Sequence, residues 1–535
     1  MLILQVVSFV LLAPLTGAVS LKPKGLKWEK CKDIVSNSSL PYKCATHEVP
    51  LDWTAPQNNT IKLQLIKVPA TKQPAKGSIQ FNFGGPGLEG RNTLLAFAER
   101  LLLSTGGTYD LVAFDPRGTG NTIPFNCSKD PSDLYSLVLN AKPTDSDGSA
   151  EARDWAFGEA ITSRCYYHDR DIGEMIGTAF GARDLMSVAE VLDKDRKLRY
   201  WGKIPSSWGD GGLLTNTAGF SYGTTLGATV SAMFPDRIDR VILDGTQNIH
   251  EYYHGFGEIE QWTDADRLFS TMLSTCIDAG AKRCPLAATY NDSSTLEKDI
   301  WNAMGELKKN PLAITTLETS LILDHLEFKG ILANALDGID SWPAVAAAVQ
   351  LLLERNTDNK EFANLITKLL PFTTSDQAAN ALGAIRTMGI RGSDRFTRAK
   401  SRKDLSTTVA EQEKLSRMIG GTAAMLALAT SRWKFHAKER YEGSWQNITT
   451  AHPLLVIGNT LDAKTSLKCA HNTSAIFDDS VVLEVQAYGH TSLAGVSNCS
   501  DSATAAYFVN GTLPSKGKAC PVDIHPYEES PTKGS

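Results

Sequence analysis

Three residues stand in an order that could carry out acyl transfer: Ser221, Asp462 and His490. A serine hydroxyl is a poor nucleophile, so it needs a base to take its proton and an acid to orient that base. Ser221 lies in Gly219-Phe220-Ser221-Tyr222-Gly223, the G-x-S-x-G pattern of a sharp strand-to-helix turn. The pattern alone is weak in a chain with 42 glycines. Its surroundings strengthen it: residues 224–234 read as the following helix and 240–244 as the next strand. Asp462, in Gly458-Asn459-Thr460-Leu461-Asp462, follows a strand over 453–457, and His490, in Ala487-Tyr488-Gly489-His490, follows one over 481–485. Taken singly, they read as a turn aspartate and a surface-loop histidine. Together they follow the chain order Ser, Asp, His, each just past the C-terminal end of a strand, where open α/β sheets carry their sites. A developing oxyanion needs donors already in place, each worth roughly 3–4 kcal/mol. The loop Phe83-Gly84-Gly85-Pro86-Gly87 offers the amide of Gly85, and Tyr222 offers a second.

The same loop contains a decoy. Gly85-Pro86-Gly87-Leu88-Glu89-Gly90 matches G-x-G-x-x-G, and Asp115 ends the next strand, as in a dinucleotide site. We reject that reading because it leaves the placement of Ser221, Asp462 and His490 unexplained. No cofactor is expected. No metal site is expected either: the ten histidines are scattered, and His250 and His254, though they stand with Glu251 in an H-E-x-x-H spacing, are two isolated residues. They read as surface residues of a lid.

These side chains need a frame. Short apolar runs at 61–68, 78–83, 109–114, 240–243, 453–457 and 481–485 are mostly continuous, as expected of strands buried on both faces of a parallel sheet. Helical patterns lie between them, clearly at 93–103 and 178–192. The alternation predicts an α/β fold with a mostly parallel, doubly wound sheet. Residues 250–430 are rich in Ala and Leu at helical spacing and poor in strand signals, so they read as an inserted helical cap. The expected division is a leader at 1–20, a core at 21–249, the cap at 250–430, a second core part at 431–525 carrying the acid and the histidine, and a loose tail at 526–535.

The chain has 535 residues, 42% hydrophobic and 21% charged, with a net charge of −5. That is globular composition. It has no basic surplus for phosphate backbones, so no nucleic-acid partner is expected. The uncharged apolar start ending in Thr16-Gly17-Ala18 reads as a secretory signal, with a membrane anchor as the lesser alternative. Export fits eight N-x-Ser/Thr sites, at Asn37, Asn58, Asn126, Asn291, Asn447, Asn472, Asn498 and Asn510. Nine cysteines without a CxxC then read as disulfides. Pairing sequence neighbours gives Cys31–Cys44, Cys127–Cys165, Cys276–Cys284 and Cys499–Cys520, with Cys469 left over, although spacing alone does not fix connectivity. The expectation is an extracellular glycoprotein that leaves the membrane once its leader is removed. Its oligomeric state stays open.

At this point the chain resembles the secreted, fungal-type serine α/β-hydrolases related to tripeptidyl and prolyl aminopeptidases. The matching pieces are Val49-Pro50-Leu51-Asp52-Trp53, Gly84-Gly85-Pro86-Gly87, Phe114-Asp115-Pro116-Arg117-Gly118-Thr119-Gly120, Phe220-Ser221-Tyr222-Gly223-Thr224, Asp462, Gly489-His490, 507–514 and Cys520. The resemblance implies an α/β-hydrolase fold with a helical cap, and cleavage of short peptides from a free N-terminus. It also implies acidic residues that hold the substrate amine, for which Glu89, Glu258 and Glu260 are the candidates; singly, each reads as a solvated surface charge. A carboxylesterase acting on a small metabolite ester is the alternative, since the acyl-transfer chemistry is shared. The chain departs from the family pattern at Leu88-Glu89, where a small residue is usual, and at Asp462-Ala463-Lys464-Thr465-Ser466. It also departs at Gly392 and Thr430, near which a cap disulfide would be expected.

The largest departure precedes the nucleophile. Relatives run Tyr-Trp-Gly directly into Phe-Ser-Tyr-Gly, whereas here seventeen residues, 203–219, separate Tyr200-Trp201-Gly202 from Phe220-Ser221. The natural strand into the turn is 198–202. Codons for Gly202-Lys203, Thr215-Asn216 and Ala218-Gly219 can spell an intron donor, branch site and acceptor in frame, so 203–219 reads as a translated intron. The alternative is a real loop. In that case 213–218 replaces 198–202 as the strand, or the turn is distorted and the protein is a catalytically impaired binder.

Overall fold

The computed structural model describes residues 25–34, 36, 38–130, 132–139, 141–202, 222–316, 320–370 and 377–528. The leader, Asn37, residues 203–219 and Ser221 lie outside the described residues.

Nine strands form one sheet: β1 (Lys43–Pro50), β2 (Thr60–Val68), β3 (Ser78–Asn82), β4 (Asp110–Phe114), β5 (Leu198–Gly202), β6 (Ile238–Asp244), β9 (Leu455–Leu461), β10 (Val481–Tyr488) and β11 (Ala519–Cys520). Their order across the sheet is β1-β2-β4-β3-β5-β6-β9-β10-β11. β1 pairs antiparallel with β2, and β2 antiparallel with β4; every other pair in the sheet is parallel. This order, with helices on the flanks, is the α/β-hydrolase fold. The inner strands show why the sequence builds it. All five residues of β3 and all five of β5 are buried, which requires a layer of helices on each face. Helices Gly90–Ser104, Thr178–Leu192 and Tyr222–Met233 provide part of that cover.

Between β6 and β9 the chain leaves the sheet and runs mainly as helices, among them His325–Ala335, Gln377–Asp394 and Gly420–Thr430. An antiparallel pair of four-residue strands, β7 (Leu312–Thr315) and β8 (Ser320–Leu323), interrupts them. The pair is missing from the sequence expectation because it is short and half exposed, with no apolar run to announce it. Gly392 lies against Trp433, where an added Cβ would stand 2.4 Å from Cγ. An indole therefore packs where the resemblance placed a cystine.

The disulfides are Cys31–Cys44, Cys127–Cys165, Cys276–Cys284 and Cys499–Cys520, and Cys469 is a buried thiol. Among the sequon asparagines described, Asn58, Asn291, Asn447, Asn472, Asn498 and Asn510 are exposed, whereas Asn126 is half-buried. Among the described residues, no helix is long and apolar enough to cross a membrane.

Candidate active site

Parallel strands deliver their C-terminal ends to one edge. Asn82 of β3 stands opposite Gly202 of β5, Gly202 opposite Leu243 of β6, and Asp244 opposite Ile457 of β9. The loops that follow β3, β9 and β10 therefore share that edge, and they hold Gly85, Asp462 and His490 respectively.

Asp462 is fully buried, and its carboxylate meets the His490 ring at 2.8 Å (Oδ2–Nδ1) and 3.0 Å (Oδ1–Nδ1). It also accepts from the amides of Lys464 (2.8 Å), Thr465 (2.9 Å) and Thr491 (3.2 Å), and from the Thr465 hydroxyl (2.8 Å). Burial pushes this carboxyl upward, but the His490 ring and those donors outweigh it and hold it below its ordinary value. Asp462 is thus the ionised partner that an imidazolium requires. With Nδ1 bound to the carboxylate, the ring is set in the tautomer that carries its proton on Nδ1 and leaves Nε2 as an acceptor.

The histidine loop is fixed from several sides. The His490 amide donates to the carbonyl of Asp337, a cap residue, at 2.9 Å. Asn459 donates its Nδ2 to the carbonyls of Gly489 (2.8 Å) and Thr491 (2.6 Å). Asp244 accepts from the Ser492 amide (2.9 Å) and hydroxyl (2.6 Å), and from the Trp201 indole at 3.3 Å. Gly489 has φ +122° and Thr491 has φ +64°, a conformation costly for a β-branched residue and stored where the loop must aim a side chain. Sequence reasoning missed Thr465, Asn459 and Asp244 as supports. For Thr465 the signal was present, since a hydroxyl three residues after an aspartate commonly bonds back to it.

Tyr222 opens the helix Tyr222–Met233 and is buried. Its hydroxyl lies 2.7 Å from Thr178 Oγ1. Thr178 donates its amide (2.8 Å) and hydroxyl (2.5 Å) to Asp394, which also accepts from Tyr252 at 2.9 Å. Burial pushes Asp394 up to about 6. This chain of hydrogen bonds ties the helix Gln377–Asp394 to the start of the helix Tyr222–Met233. Gly85, with φ +108°, lies in the loop after β3, and Thr387 of the cap donates to the carbonyl of Pro86.

The three candidate amine-binding acids part company. Glu258 is not a solvated surface charge: it is buried, and Oε1 is shared by Arg391 and by Arg395, the latter at 2.8 Å. Glu260 is also buried, held by Asn248 (2.8 Å), Asn472 (2.6 Å) and Lys468 (3.2 Å). Both already have their charge answered by partners that sequence distance concealed. Glu89 is half exposed, with Arg386 3.9 Å away. His250 and His254 are exposed and adjacent, with ring centroids 5.1 Å apart. Among the described residues, no group of three or more His, Cys, Asp or Glu is placed to hold a metal ion.

Comparison with known proteins agrees with this geometry. Residues 415–520, which include Asp462 and His490, match the family described as TAP-like protein. A tripeptidyl aminopeptidase of Streptomyces lividans is 29% identical over 238 residues, 42% of this chain and 38% of that protein. Serine protease Hip1 of Mycobacterium tuberculosis is 29% identical over 225 residues, 41% of this chain and 39% of that protein. The chain thus matches about two fifths of the length of these two relatives. The putative hydrolase YuaR of Escherichia coli is 22% identical over 520 residues, 94% of each chain. The chain has the α/β-hydrolase fold and is similar to proteins named as a peptidase, a protease and a putative hydrolase.

Proposed function

We propose that the protein is an exported serine hydrolase of the aminopeptidase kind, which releases short peptides from a free N-terminus through an acyl-enzyme on Ser221. The observation that carries this reading is the buried Asp462–His490 pair, with Nδ1 and Oδ2 2.8 Å apart at the strand-end edge of the sheet. His490 takes the Ser221 proton as the hydroxyl attacks the scissile carbonyl, and returns it to the leaving amine. Asp462 stabilises the imidazolium. The amides of Gly85 and Tyr222 hold the oxyanion. Peptidase specificity rather than esterase specificity is supported by the two named relatives. Glu89 is the carboxylate proposed to receive the substrate ammonium, because Glu258 and Glu260 are already paired within the fold. Four disulfides support an oxidising, extracellular destination.

The test is active-site labelling with a fluorophosphonate, followed by turnover of aminoacyl arylamides against aryl esters. Labelling that disappears in Ser221→Ala, with arylamide cleavage, is expected. Turnover of esters alone would make the protein a carboxylesterase. Failure to label in any form would leave a binding protein on a hydrolase scaffold.

A further inference from the structure

We infer that Asp337 and Lys464 form a clasp that holds the Asp462–His490 pair in its geometry and balances the charge around it, an inference that rests on the proposed role of that pair as acid and base.

Four contacts close a ring. The Asp462 carboxylate meets His490 Nδ1 at 2.8 Å. The His490 amide donates to the carbonyl of Asp337 at 2.9 Å. Lys464 donates its Nζ to Oδ2 of Asp337 at 2.7 Å. The Lys464 amide then donates to Asp462 Oδ1 at 2.8 Å. The ring joins three segments far apart in the chain: the loop after β9, the loop after β10, and residue 337, just past the helix His325–Ala335. Asp337 bonds the histidine loop through its backbone and the acid loop through its side chain. Gly338 extends the first of these contacts, since it pairs antiparallel with Gly489.

The ion pair serves position more than stability. The Lys464 side chain is 9% exposed and that of Asp337 18%. Taking two charges out of water largely cancels their attraction, so such a pair adds little over apolar side chains of the same size. What it adds is a short, directional contact. Asp337 Oδ1 is buried without a hydrogen-bond partner among the described residues, so the carboxylate is anchored through Oδ2 on Lys464.

Charge sets a second role. Asp462 binds the His490 ring, Asp244 holds the same loop through Ser492, and Asp264 stands close enough to Asp462 to feel its charge. Lys464 brings a cation to these carboxylates, and Asp337 offsets it. The two members therefore act on His490 in opposite senses. Without the Lys464 ammonium, the Asp337 carboxylate favours the imidazolium; without that carboxylate, the ammonium disfavours it. Both are positioning residues, acting through Asp462 and His490.

The experiment compares the parent chain, Lys464→Met, Asp337→Asn and the double variant, with Ser221→Ala as the blank. It measures kcat and kcat/KM against pH on an aminoacyl arylamide and an aryl ester. Each single variant is expected to lower kcat on the order of 10-fold with KM little changed. The acid limb of kcat/KM reports the base of the free enzyme. It is expected to move up by about half a pH unit in Lys464→Met and down by a similar step in Asp337→Asn. The double variant is expected to return the limb to its parent position while kcat stays low. Parent-like kcat in a single variant would overturn the inference, as would limbs that stay in place or move the same way. A raised KM at unchanged kcat in Lys464→Met would also overturn it, because that marks a substrate contact. If Lys464→Met does not fold, Asp337→Asn, which keeps the side chain's shape, decides alone. A parent that turns over neither substrate, or turnover that survives Ser221→Ala, would instead fail the serine-hydrolase reading and this inference with it.

Discussion

Asp462 and His490 bear the charge separation that the proposed reaction creates, and their surroundings set how well they bear it. Asp462→Asn would preserve shape but leave His490 in the wrong tautomer, with an expected loss of about 10⁴ in kcat. A subtler test lies one residue before the histidine. Gly489 has φ +122°, and a Cβ there would stand 2.5 Å from the Asp337 carbonyl. That same carbonyl accepts the His490 amide. Gly489→Ala should therefore push the histidine loop off the cap and misplace the imidazole. A fall in labelling rate on the order of 100-fold is expected, since displacements near 1 Å carry that cost. A labelling rate equal to that of the parent protein would show that the loop tolerates the shift and that its contact with Asp337 is incidental.

At the scale of elements, what was legible in the sequence follows from burial. β3, β4, β6, β9 and β10 lie inside the sheet and announced themselves as apolar runs, which placed Asp462 and His490 just past strand ends. β1 and the β7–β8 pair are exposed along much of their length and left no such run. The partners of Glu258 were illegible for a different reason: Arg391, in the helix Gln377–Asp394, and Arg395, the residue after it, stand more than 130 positions away. No local pattern encodes that contact. The nucleophile turn fell between these cases. Strand 198–202 was legible only through the family resemblance, and the residues between it and Tyr222 lie outside the described ones. The contact of Gly202 with Gly223 exists only in three dimensions. If the seventeen extra residues come from an unspliced intron, transcripts lacking codons 203–219 should be present and should join Gly202 to Phe220 in frame. Sequencing of expressed transcripts that returns only the long form would sink that origin for the segment.

The whole molecule buries a set of carboxyls whose desolvation outweighs the donors and cations near them, and this should shape its stability curve. Burial pushes Asp154 and Glu251 up to about 7, and Asp115, Asp264 and Asp394 up to about 6; for Asp264 the charge of Asp462 adds to the effect. Asp154 is fully buried, and its Oδ2 meets no hydrogen-bond partner among the described residues. A raised carboxyl holds its proton in the native state where the unfolded chain, near 3.9 for Asp and 4.3 for Glu, has lost it. The native state then binds more protons, so stability falls as pH rises through the native value. Histidines act in the opposite sense. Burial, followed by Arg398 and Arg440, pushes His436 down to about 4, and His47, His254, His325 and His452 are also lowered, chiefly by burial. Each loses stability as pH drops below the unfolded histidine value of about 6.5. Above that value the histidines no longer contribute and the carboxyls near 7 still do. The melting temperature should therefore peak between about pH 6 and 7 and decline toward pH 8. Asp154→Asn removes one of the three carboxyls near 7, beside Glu251 and Glu327, at constant shape, so it should flatten the decline above the peak and steepen the rise below it, because Asp154 opposes the histidines from about pH 4 to pH 7. Melting curves of the parent and the variant from pH 5 to pH 8 measure this directly, and a parent curve still rising at pH 8 would mean that these carboxyls are solvated in the folded protein.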